Sequence, residues 1–266
     1  MNSTDGSQAV ISPRARLGRN VQVGYGTHIH GSAVIEDDCQ IGDYCIIGHP
    51  TKNEWADKPL KIGRGSTIRS HSVLYEGSEF GPGLESGHYV LIREGTIAGP
   101  GLRVGSHSDI EGDCSMGDFC RFHSYVHVGR TTKIGHFVHL YSLTTLTNDP
   151  LPPSEILDPI VIEDGVVVCV GATIMPGTLL RRGCFVSANS VASGEIPPGA
   201  VVSGPQGQIV SHVSHLVNFQ HGVRHPWMPN FAGRYPQEAQ PRLQALQQMI
   251  LADREQFIHT YLGRGA

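Results

Sequence analysis

The hydrophobic residues of this chain recur at every sixth position over a long central stretch. Between residues 62 and 146 the recurring position is apolar in fourteen of fifteen cases. The positions are Ile62, Ile68, Leu74, Phe80, Ser86, Ile92, Ala98, Val104, Ile110, Met116, Phe122, Val128, Ile134, Leu140 and Leu146. A helix repeats near 3.6 residues and a strand near two, so neither alone explains a period of six. A short strand followed by a tight turn does explain it, and a hexapeptide period is typical of a parallel β-helix.

The residues beside the recurring position support this prediction. The residue that follows is often glycine, which tolerates turn dihedrals closed to other residues. These glycines are Gly63, Gly81, Gly99, Gly105, Gly117, Gly129 and Gly135. The residue two positions earlier is small or short in many repeats, as a crowded corner requires. We therefore expect the apolar residue of each hexapeptide to point inward.

The same frame begins at Ile11 and is interrupted twice. Residues 49–60 and 146–160 break the count of six and are rich in polar residues and proline, so we predict loop insertions there. The frame resumes at Ile162. Trp55, in the first insertion, has three open interpretations: it covers a ligand, it packs on a neighbouring subunit, or it packs on its own coil.

The frame ends near residue 204, and we predict a β-helix domain over residues 1–204. Residues 205–266 form a C-terminal extension in which residues 237–262 are predicted to be helical. Four apolar residues fall on one face of that helix at 3.6-residue spacing. They are Leu243, Leu246, Ile250 and Phe257. Because a solenoid exposes its open end, we expect this helix to cap the coils or brace a neighbouring subunit.

Composition and charge narrow the possible partners. The formal net charge is −4, which gives no sign of a nucleic-acid or membrane-surface footprint. No apolar run approaches the roughly 18 residues that span a bilayer, and the first residues lack the basic and apolar regions of a secretory signal. We predict a cytoplasmic protein with no nucleic-acid or membrane partner.

The six cysteines agree with a reducing compartment. Five of them lie two residues before a frame position, where we expect small buried corner residues. They are Cys39, Cys45, Cys114, Cys120 and Cys184. Cys169, which directly follows Val168, is expected to be buried as well. With no Cys-x-x-Cys pair, the spacing does not favour a zinc site.

The hexapeptide pattern, an aliphatic residue followed by glycine, resembles that of the hexapeptide-repeat acyltransferase superfamily. The resemblance covers about residues 9–205. It implies an all-β fold, a left-handed parallel β-helix with three hexapeptides per triangular coil, here with a C-terminal α-helical extension. It also implies a coenzyme A thioester as co-substrate, carrying acetyl or another acyl group, and assembly as a homotrimer.

Three stretches, 68–77, 87–96 and 145–154, are most similar to members that acetylate amino groups of nucleotide-linked sugars. In those proteins an Asn-Asp pair before prolines marks a loop over the active site, and a Tyr-Glu-Gly turn lies in an earlier coil. We therefore predict transfer of an acyl group to the amine of a sugar nucleotide or other small acceptor. The implied acceptor contacts are Tyr75, Glu76, Asn148 and Asp149.

The donor end of the pattern departs from these relatives. Many of them close the helix with Gly-Asn-Pro-Ala, whereas this chain has Gly204 followed by Pro-Gln-Gly. Small residues let a ligand approach the backbone, so Gly171, Ala172 and Gly204 are predicted to contact the pantetheine arm of coenzyme A.

Histidines supply the candidate base. Acyl transfer requires removal of a proton, and a histidine titrates near neutrality. Residues 18 apart stack in columns of a three-hexapeptide coil, and adjoining columns carry His71, His88, His107 and His123. We favour His123 as the base, or as the residue that orients the amine, followed by His139 and His127. His88 is predicted to contact the acceptor; for each histidine, interface packing or exposure to solvent is the alternative.

Other functions share this fold. An O-acyltransferase would use the same groups on a hydroxylated acceptor. Hexapeptide-repeat carbonic anhydrases bind zinc through three histidines, and His123 and His127 suggest that possibility. That family has four residues between its paired histidines, whereas three lie between these two, so we predict no metal site. A non-catalytic scaffold is the third alternative, although it would not need two insertions beside a histidine-rich face.

Overall fold

The computed structural model describes residues 8–263, which fall into two compact units divided after Lys133. Short strands alternate with tight turns in both units, as the six-residue period predicts. The fold is a left-handed parallel β-helix with helices only near the C-terminus of the described range, which confirms the predicted fold class. The predicted boundary at residue 204 falls inside the second unit.

The strands of the first unit contain two to four residues each. They are β1 (Val10–Ile11), β2 (Arg16–Leu17), β3 (Gln22–Val23), β4 (His28–Ile29), β5 (Ala33–Ile35), β6 (Gln40–Ile41), β7 (Ile46–His49), β8 (Leu60–Ile62), β9 (Thr67–Ile68), β10 (Val73–Tyr75), β11 (Glu79–Phe80), β12 (Glu85–Ser86), β13 (Leu91–Ile92), β14 (Ile97–Ala98), β15 (Arg103–Val104), β16 (Asp109–Ile110), β17 (Ser115–Met116), β18 (Arg121–Phe122) and β19 (His127–Val128). Strand β20 (Lys133–Ile134) includes the point of division.

Each strand pairs with the third strand after it in the chain, so the strands of the first unit form three parallel sheets. The first sheet follows the order β1-β4-β7-β10-β13-β16-β19, the second runs from β2 to β17, and the third from β3 to β18. Pairing is parallel, and partners lie 18 residues apart where no insertion intervenes, as in Asp109 with His127. We call the turns from the first to the second sheet the first corner, and those from the third to the first sheet the third corner.

All fifteen frame positions between residues 62 and 146 are buried, and Met116 and Ile134 are the most exposed at 5%. Ser86, the polar exception, is fully buried like its neighbours. Its hydroxyl accepts a hydrogen bond from the Arg69 backbone N–H at 3.0 Å and donates to the Gly87 carbonyl at 3.0 Å. Because both capacities of the hydroxyl are used, a serine fits where the frame calls for an apolar residue.

The frame glycines are required for a different reason from the predicted one. A Cβ at Gly63 would lie 2.5 Å from the backbone N of Pro82, and one at Gly81 would lie 2.7 Å from that of Pro100. These glycines are therefore fixed by close approach of the next coil. The left-handed backbone conformation occurs two residues later in the turn, as at Gly65 with φ +67°.

The second unit continues the repeat and then leaves it. Its strands are β21 (His139–Leu140), β22 (Thr145–Leu146), β23 (Val161–Ile162), β24 (Val167–Val168), β25 (Thr173–Ile174), β26 (Leu179–Leu180), β27 (Phe185–Val186), β28 (Val191–Ala192), β29 (Glu195–Ile196), β30 (Ala200–Ser203), β31 (Gln208–His212), β32 (Val217–Asn218) and β33 (Val223–Arg224). Pairing is parallel up to β30, which then pairs antiparallel with β31. Strands β32 and β33 form a separate hairpin.

The predicted C-terminal helix is observed in pieces. Helices α1 (Met228–Phe231), α2 (Gln240–Ala252) and α3 (Arg254–Phe257) are α-helical. Short 3-10 turns cover Val213–His215, Ala232–Arg234 and Gln237–Ala239, and a π-helical turn covers Ile258–Leu262. The four residues predicted to share an apolar face are all buried to 3% exposure or less: Leu243, Leu246, Ile250 and Phe257.

Helix α2 packs along the side of the coils of the second unit. The prediction was different: it had the helix cap the open end of the coils or brace a neighbouring subunit. Arg242 lies over the Phe137 ring at 5.1 Å, Leu246 packs against Gly165, and Ile250 packs against Gly183. Arg182 holds the end of the helix through Asp253 at 2.8 Å. Successive turns of the helix thus contact successive coils of the same chain.

The cysteine predictions hold for five residues. The five cysteines that precede a frame residue by two positions are buried, and burial raises the pKa of the Cys114 thiol to about 12. Cys169 is partly exposed rather than buried, although partial burial raises its pKa to about 11. The structure records all six as free thiols.

Candidate functional site

A ladder of rings follows the third corner of the first unit. Tyr44, His71, Tyr89, His107 and Tyr125 occupy the same turn position in successive coils, each with positive φ. Adjacent ring centroids from His71 to Tyr125 lie 4.6 to 5.0 Å apart and are stacked. Because stacked neighbours cover the ring faces, the ladder presents ring edges, hydroxyls and imidazole nitrogens to the surroundings.

His88 and His123 lie at this same third corner. The His88 ring nitrogen Nδ1 is 2.7 Å from the Ser70 hydroxyl, and its backbone N–H donates to Ser106 Oγ at 3.0 Å. His123 is exposed, and its carbonyl accepts a hydrogen bond from Ser108. Displacement of water around its ring, and then the charge of Arg121, lower the pKa of His123.

His127 lies on the first sheet, in strand β19 of the same coil as His123. Its Nδ1 is 2.8 Å from Oδ2 of Asp109, its register partner in β16, and its Nε2 is 4.0 Å from Glu111. The hydrogen bond to Asp109 raises the pKa of His127 above its ordinary value, since it favours the protonated ring. An ionised carboxylate only accepts, so Asp109 directs the proton to Nδ1 and leaves Nε2 as the basic nitrogen.

Tyr75 ends strand β10 and Glu76 begins the first corner, away from His88, beneath the first insertion. Strands β7 and β8 bound that insertion, so the loop itself is residues 50–59. The Glu76 carboxylate, buried to 4% exposure, accepts a hydrogen bond from the Thr51 N–H at 2.9 Å. The Tyr75 ring lies against the His49 ring, tilted by 31°, with centroids 4.5 Å apart. The Glu76 carboxylate, predicted to contact the acceptor, is committed to the loop of its own chain.

The same loop makes two further contacts of this kind. Asn53 Nδ2 donates to Glu94 at 2.9 Å, and Trp55 Nε1 donates to Asp113 at 2.7 Å. Together with Thr51, alternate loop residues thus bind carboxylates of three successive coils. The Trp55 ring packs on Gly77 and Gly95 of its own chain. Of the three interpretations of Trp55, the structure shows packing on its own coil.

His139, the second predicted base, is enclosed by the C-terminal extension. It is buried to 6% exposure, and its Nε2 is 2.8 Å from the Tyr235 hydroxyl. Trp227 and Phe231 lie against the ring, with centroids 4.7 and 5.4 Å away. A small acceptor cannot reach the ring in this arrangement, so the contacts of His139 favour a packing role over the predicted base.

Asn148 and Asp149 lie in the second insertion, which is bounded by strands β22 and β23. The Asn148 carbonyl accepts a hydrogen bond from Asp158 at 2.8 Å. Asp149 accepts from the Leu151 N–H at 3.0 Å and from Ser154, whose hydroxyl lies 2.6 Å away. The Ser154 hydrogen bonds lower the pKa of Asp149. Its carboxylate therefore organises the loop from which it comes.

The three predicted donor contacts have different surroundings. Gly171 has φ +68° and lies against the Asn189 side chain. Ala172 is fully buried. Gly204 has φ +82°, and a Cβ there would meet no atom within 4 Å. Gly204 is thus the one of these three with open space beside its backbone.

The structure brings His88 and His123 to one corner and places His127 on the adjoining sheet of the first unit. The residue that sequence reasoning missed is Asp109. Its signal was available, because Asp109 precedes His127 by the 18 residues of one coil. The column that pairs this carboxylate with a predicted base lies two positions beyond the column of His71, His107 and Tyr125.

Within residues 8–263, no three His, Cys, Asp or Glu side chains converge as a metal site would require. Over the same range, no helix is both long and apolar enough to cross a bilayer.

The chain is similar in sequence to two curated proteins over part of the length of each. It is 27% identical over 205 residues to the bifunctional protein GlmU of Geobacillus sp. (strain WCH70), across 74% of this chain and 39% of that protein. It is 30% identical over 82 residues to the 2,3,4,5-tetrahydropyridine-2,6-dicarboxylate N-acetyltransferase of Staphylococcus aureus (strain JH9), across 31% and 34% of the two chains. The chain thus spans about two fifths or less of the curated relatives it matches. No family model matches it.

Among solved structures, an Arabidopsis UDP-N-acetylglucosamine acyltransferase aligns over 95% of this chain and 96% of its own, at 12% identity and a TM-score of 0.48. The observed coils and their six-residue period define a left-handed β-helix protein of the hexapeptide-repeat type. With the sequence relatives above, the chain is similar to hexapeptide-repeat acyltransferases over part of their length.

Proposed function

We propose that this protein transfers an acyl group, acetyl in the first instance, from coenzyme A to the amine of a small acceptor. A sugar nucleotide is the acceptor class that the sequence resemblance favours. The observation that carries the acyl transfer is the 2.8 Å contact between His127 and Asp109 on an accessible sheet of the first unit, and the choice of an amine rests on the sequence resemblance. A histidine oriented by a carboxylate is suited to removing a proton from an attacking nucleophile.

In this proposal Nε2 of neutral His127 accepts the proton that the nucleophile loses as it attacks the thioester carbonyl. Asp109 holds the ring by its Nδ1–H and stabilises the imidazolium that forms. The thiolate of coenzyme A leaves as the tetrahedral intermediate collapses, and the imidazolium returns its proton to the thiolate or to water, which restores neutral His127. His123, in the same coil, remains the alternative base, and its lowered pKa keeps it neutral at pH 7.

The test compares His127→Gln and His123→Gln with His107→Gln, a matched ladder variant that lies outside the proposed chemistry. Loss of a general base lowers kcat by about 10²- to 10⁴-fold. We expect that loss for His127→Gln, with His107→Gln near the unaltered rate. A loss of kcat confined to His123→Gln would identify His123, at the third corner, as the base. Full activity in both variants would contradict a mechanism with a histidine base.

Asp109→Asn provides a second readout through pH. The raised pKa of His127 means that the base becomes available only as pH rises through a value above the ordinary 6.5. Without Asp109 that pKa falls, so the rising limb of kcat/KM should move to lower pH while the maximal rate drops. An unchanged limb would show that His127 does not titrate in the reaction.

O-acylation is the second candidate, and the His127–Asp109 pair itself favours it. A hydroxyl must lose its proton to attack, whereas a neutral amine attacks first, so an oriented base contributes more to an alcohol acceptor. Hydroxylamine treatment of the product separates the two, because it cleaves an ester and leaves an amide.

We also propose that the protein assembles as a homotrimer, which the superfamily resemblance favours and which would give three equivalent sites. Native mass spectrometry with and without acetyl-CoA tests this, and we expect a trimer that gains up to three cofactor masses. A monomer that binds the cofactor would contradict the trimer and leave the acyltransferase proposal standing.

A further inference from the structure

His212 is a buried histidine that the proposed reaction does not use. It ends strand β31 in the second unit, and its side chain is fully buried. On one side of the ring lies the backbone of Gly199, where a Cβ would come within 2.2 Å of Nε2. On the other side lies the Phe257 ring, with centroids 5.1 Å apart. Because Gly199 precedes strand β30 and Phe257 ends helix α3, the imidazole packs between the coils and the C-terminal extension.

Hydrogen bonds fix the proton of this ring on one nitrogen. Nδ1 accepts from the Ser214 backbone N–H at 3.2 Å and so caps the 3-10 turn Val213–His215. A nitrogen that accepts carries no proton, so the neutral ring is protonated at Nε2. In the part of the chain that the structure describes, Nε2 of His212 is the one buried side-chain nitrogen or oxygen without a hydrogen-bond partner. A second proton must go to Nδ1, where the Ser214 hydroxyl at 2.9 Å can accept from it but the cap from the N–H is lost.

The charged groups around His212 disfavour an imidazolium. Burial lowers the pKa of His212 to about 4, and the charges of His215 on the 3-10 turn and Arg254 on α3 add to that effect. Asp253 acts in the opposite direction, but its carboxylate is bound to Arg182 at 2.8 Å. A charged ring here would be buried beside cations, with a donor that has no acceptor. Protonation of His212 and burial of its ring therefore oppose one another.

The end of the extension packs incompletely beside this ring. A cavity of about 210 Å³ is lined by Pro197 and Pro198 of the turn before β30 and by Phe257 and Tyr261 of the extension. Side chains that border a void lose part of their dispersion contacts. The contact between His212 and Phe257 therefore contributes more to holding this end of the extension on the coils.

We propose that His212 is an acid-sensitive latch, which releases residues 253–262 from the coils when the ring takes up a second proton. Outside its site the ring gains water as a partner and titrates near 6.5, as an ordinary histidine does. Helix α2 stays on the coils, because Leu246 packs against Gly165 and Ile250 against Gly183. The latch is independent of the proposed acyl transfer.

The latch weakens as pH falls, because the released state binds the proton more strongly than the closed one. A histidine whose folded pKa is lowered contributes its full stabilisation above the ordinary 6.5 and loses it as pH falls toward about 4. Within that window, each pH unit favours the released state about tenfold. Mild acid therefore opens the latch, and neutral pH closes it.

Hydrogen exchange followed by mass spectrometry tests the latch. After correction for intrinsic exchange, we expect the opening constant of amides in residues 254–262 to rise about 30-fold between pH 6.5 and pH 5. Amides of strand β30 should keep their protection over the same range. Equal loss of protection in both segments, or no rise in the extension, would overturn the proposal.

His212→Asn separates the titrating ring from the cap. Asparagine is a good N-cap, so its side-chain oxygen can replace Nδ1 as the acceptor for Ser214, but it does not titrate. The variant should open more readily at every pH, since Phe257 loses its ring partner, and should lose the pH dependence. His221→Asn removes an exposed histidine from the β32–β33 hairpin and should keep the rise. A rise of about 30-fold that persists in His212→Asn would contradict the latch.

NMR of the His212 ring provides a readout that requires no variant. Nitrogen shifts distinguish the two neutral tautomers and the imidazolium. At pH 6, below the ordinary histidine value, we expect a neutral ring protonated at Nε2. A ring that is already largely charged at that pH, or a neutral ring protonated at Nδ1, would overturn the proposal.

Discussion

The two loop insertions interrupt the same repeat but relate differently to the coils beside them. The first, residues 50–59, donates hydrogen bonds from three alternate residues to carboxylates of three successive coils. The second, residues 147–160, is organised by its own Asp149 and leaves Leu151 79% and Ile156 62% exposed. The first loop is hydrogen-bonded across three coils, whereas the second is organised around Asp149 and meets the next coil at its ends, through Thr147 and Asp158.

The difference shows what decides the conformation of an inserted loop. Stacked coils lie about 4.8 Å apart, and the loop, which bends and turns over residues 52–57, meets a new coil with every second residue from Thr51 to Trp55. Glu76, Glu94 and Asp113 provide an acceptor at each step. Carboxylates stacked in successive coils can therefore hold an inserted loop whose own sequence does not repeat.

The largest change should come from Glu94→Ala. The Glu94 side chain is 1% exposed and binds Arg93 at 2.7 Å and Asn53 at 2.9 Å. Its removal leaves charged and polar donors without their acceptor, at a cost of about 3 kcal/mol in the free energy of unfolding. Urea unfolding followed by circular dichroism measures this cost, and Glu94→Gln, which keeps an acceptor oxygen, should lose less. Equal losses would mean that packing rather than hydrogen bonding fastens the loop.

A matched pair of truncations compares the two loops directly. Trp55→Ala removes a half-buried ring that packs on Gly77 and Gly95, and we expect a loss of about 2 kcal/mol. Leu151→Ala truncates an exposed side chain and should change stability by less than about 0.5 kcal/mol. The same unfolding measurement applies to both. Similar values for the two variants would refute the distinction between a fastened loop and an exposed one.

Acid should release the first loop at Glu94. Burial raises the pKa of this carboxyl, but hydrogen bonds from its own backbone, Arg93 and Asn53 more than offset burial, so the net pKa lies below the ordinary 4.5. A lowered pKa contributes stability above pH 4.5 that disappears as pH falls through the folded value. Hydrogen exchange of amides in residues 50–59 should accelerate over that window, and less so in Glu94→Gln, which cannot titrate.

The smallest effect belongs to Asp149→Ala. This substitution removes acceptors for Leu151 and Ser154 within an exposed loop, so the coils should keep their stability while the loop loosens. Limited proteolysis should cut residues 147–160 faster, with Glu155→Ala as a control that removes an exposed carboxylate from the same loop. Faster cutting at residues 50–59 instead would contradict a local role.

The sequence predicted the coils well because the repeat states the same physical requirement many times. Even Ser86, the one polar residue in the frame, is buried as its position predicts. Its tolerance could not be read from the period, since it depends on the Arg69 and Gly87 backbone groups of two coils. The glycines were predicted at the right positions for the wrong reason, because the period does not reveal distances between coils.

The candidate site was predicted less completely. His127 was named from its residue type, and Asp109 was missed although its 18-residue spacing was visible. The Tyr235 hydroxyl on His139 had no such signal, because the extension does not repeat and its contacts have no fixed spacing. The repeat thus predicts which side chains are neighbours within the coils, but it does not predict the contacts of segments outside them.

The rise of helix α2 per turn differs from the spacing of the coils on which it packs. The helix advances about 6.0 Å from Leu246 to Ile250, while the coils of Gly165 and Gly183 are about 4.8 Å apart, so each step adds roughly 1.2 Å of mismatch. The helix residues therefore stay in register with the coils over only a few coils, and α2 ends at Ala252. A variant with one more coil in this unit would need a tail of different length, so coil number and tail length are expected to change together among relatives.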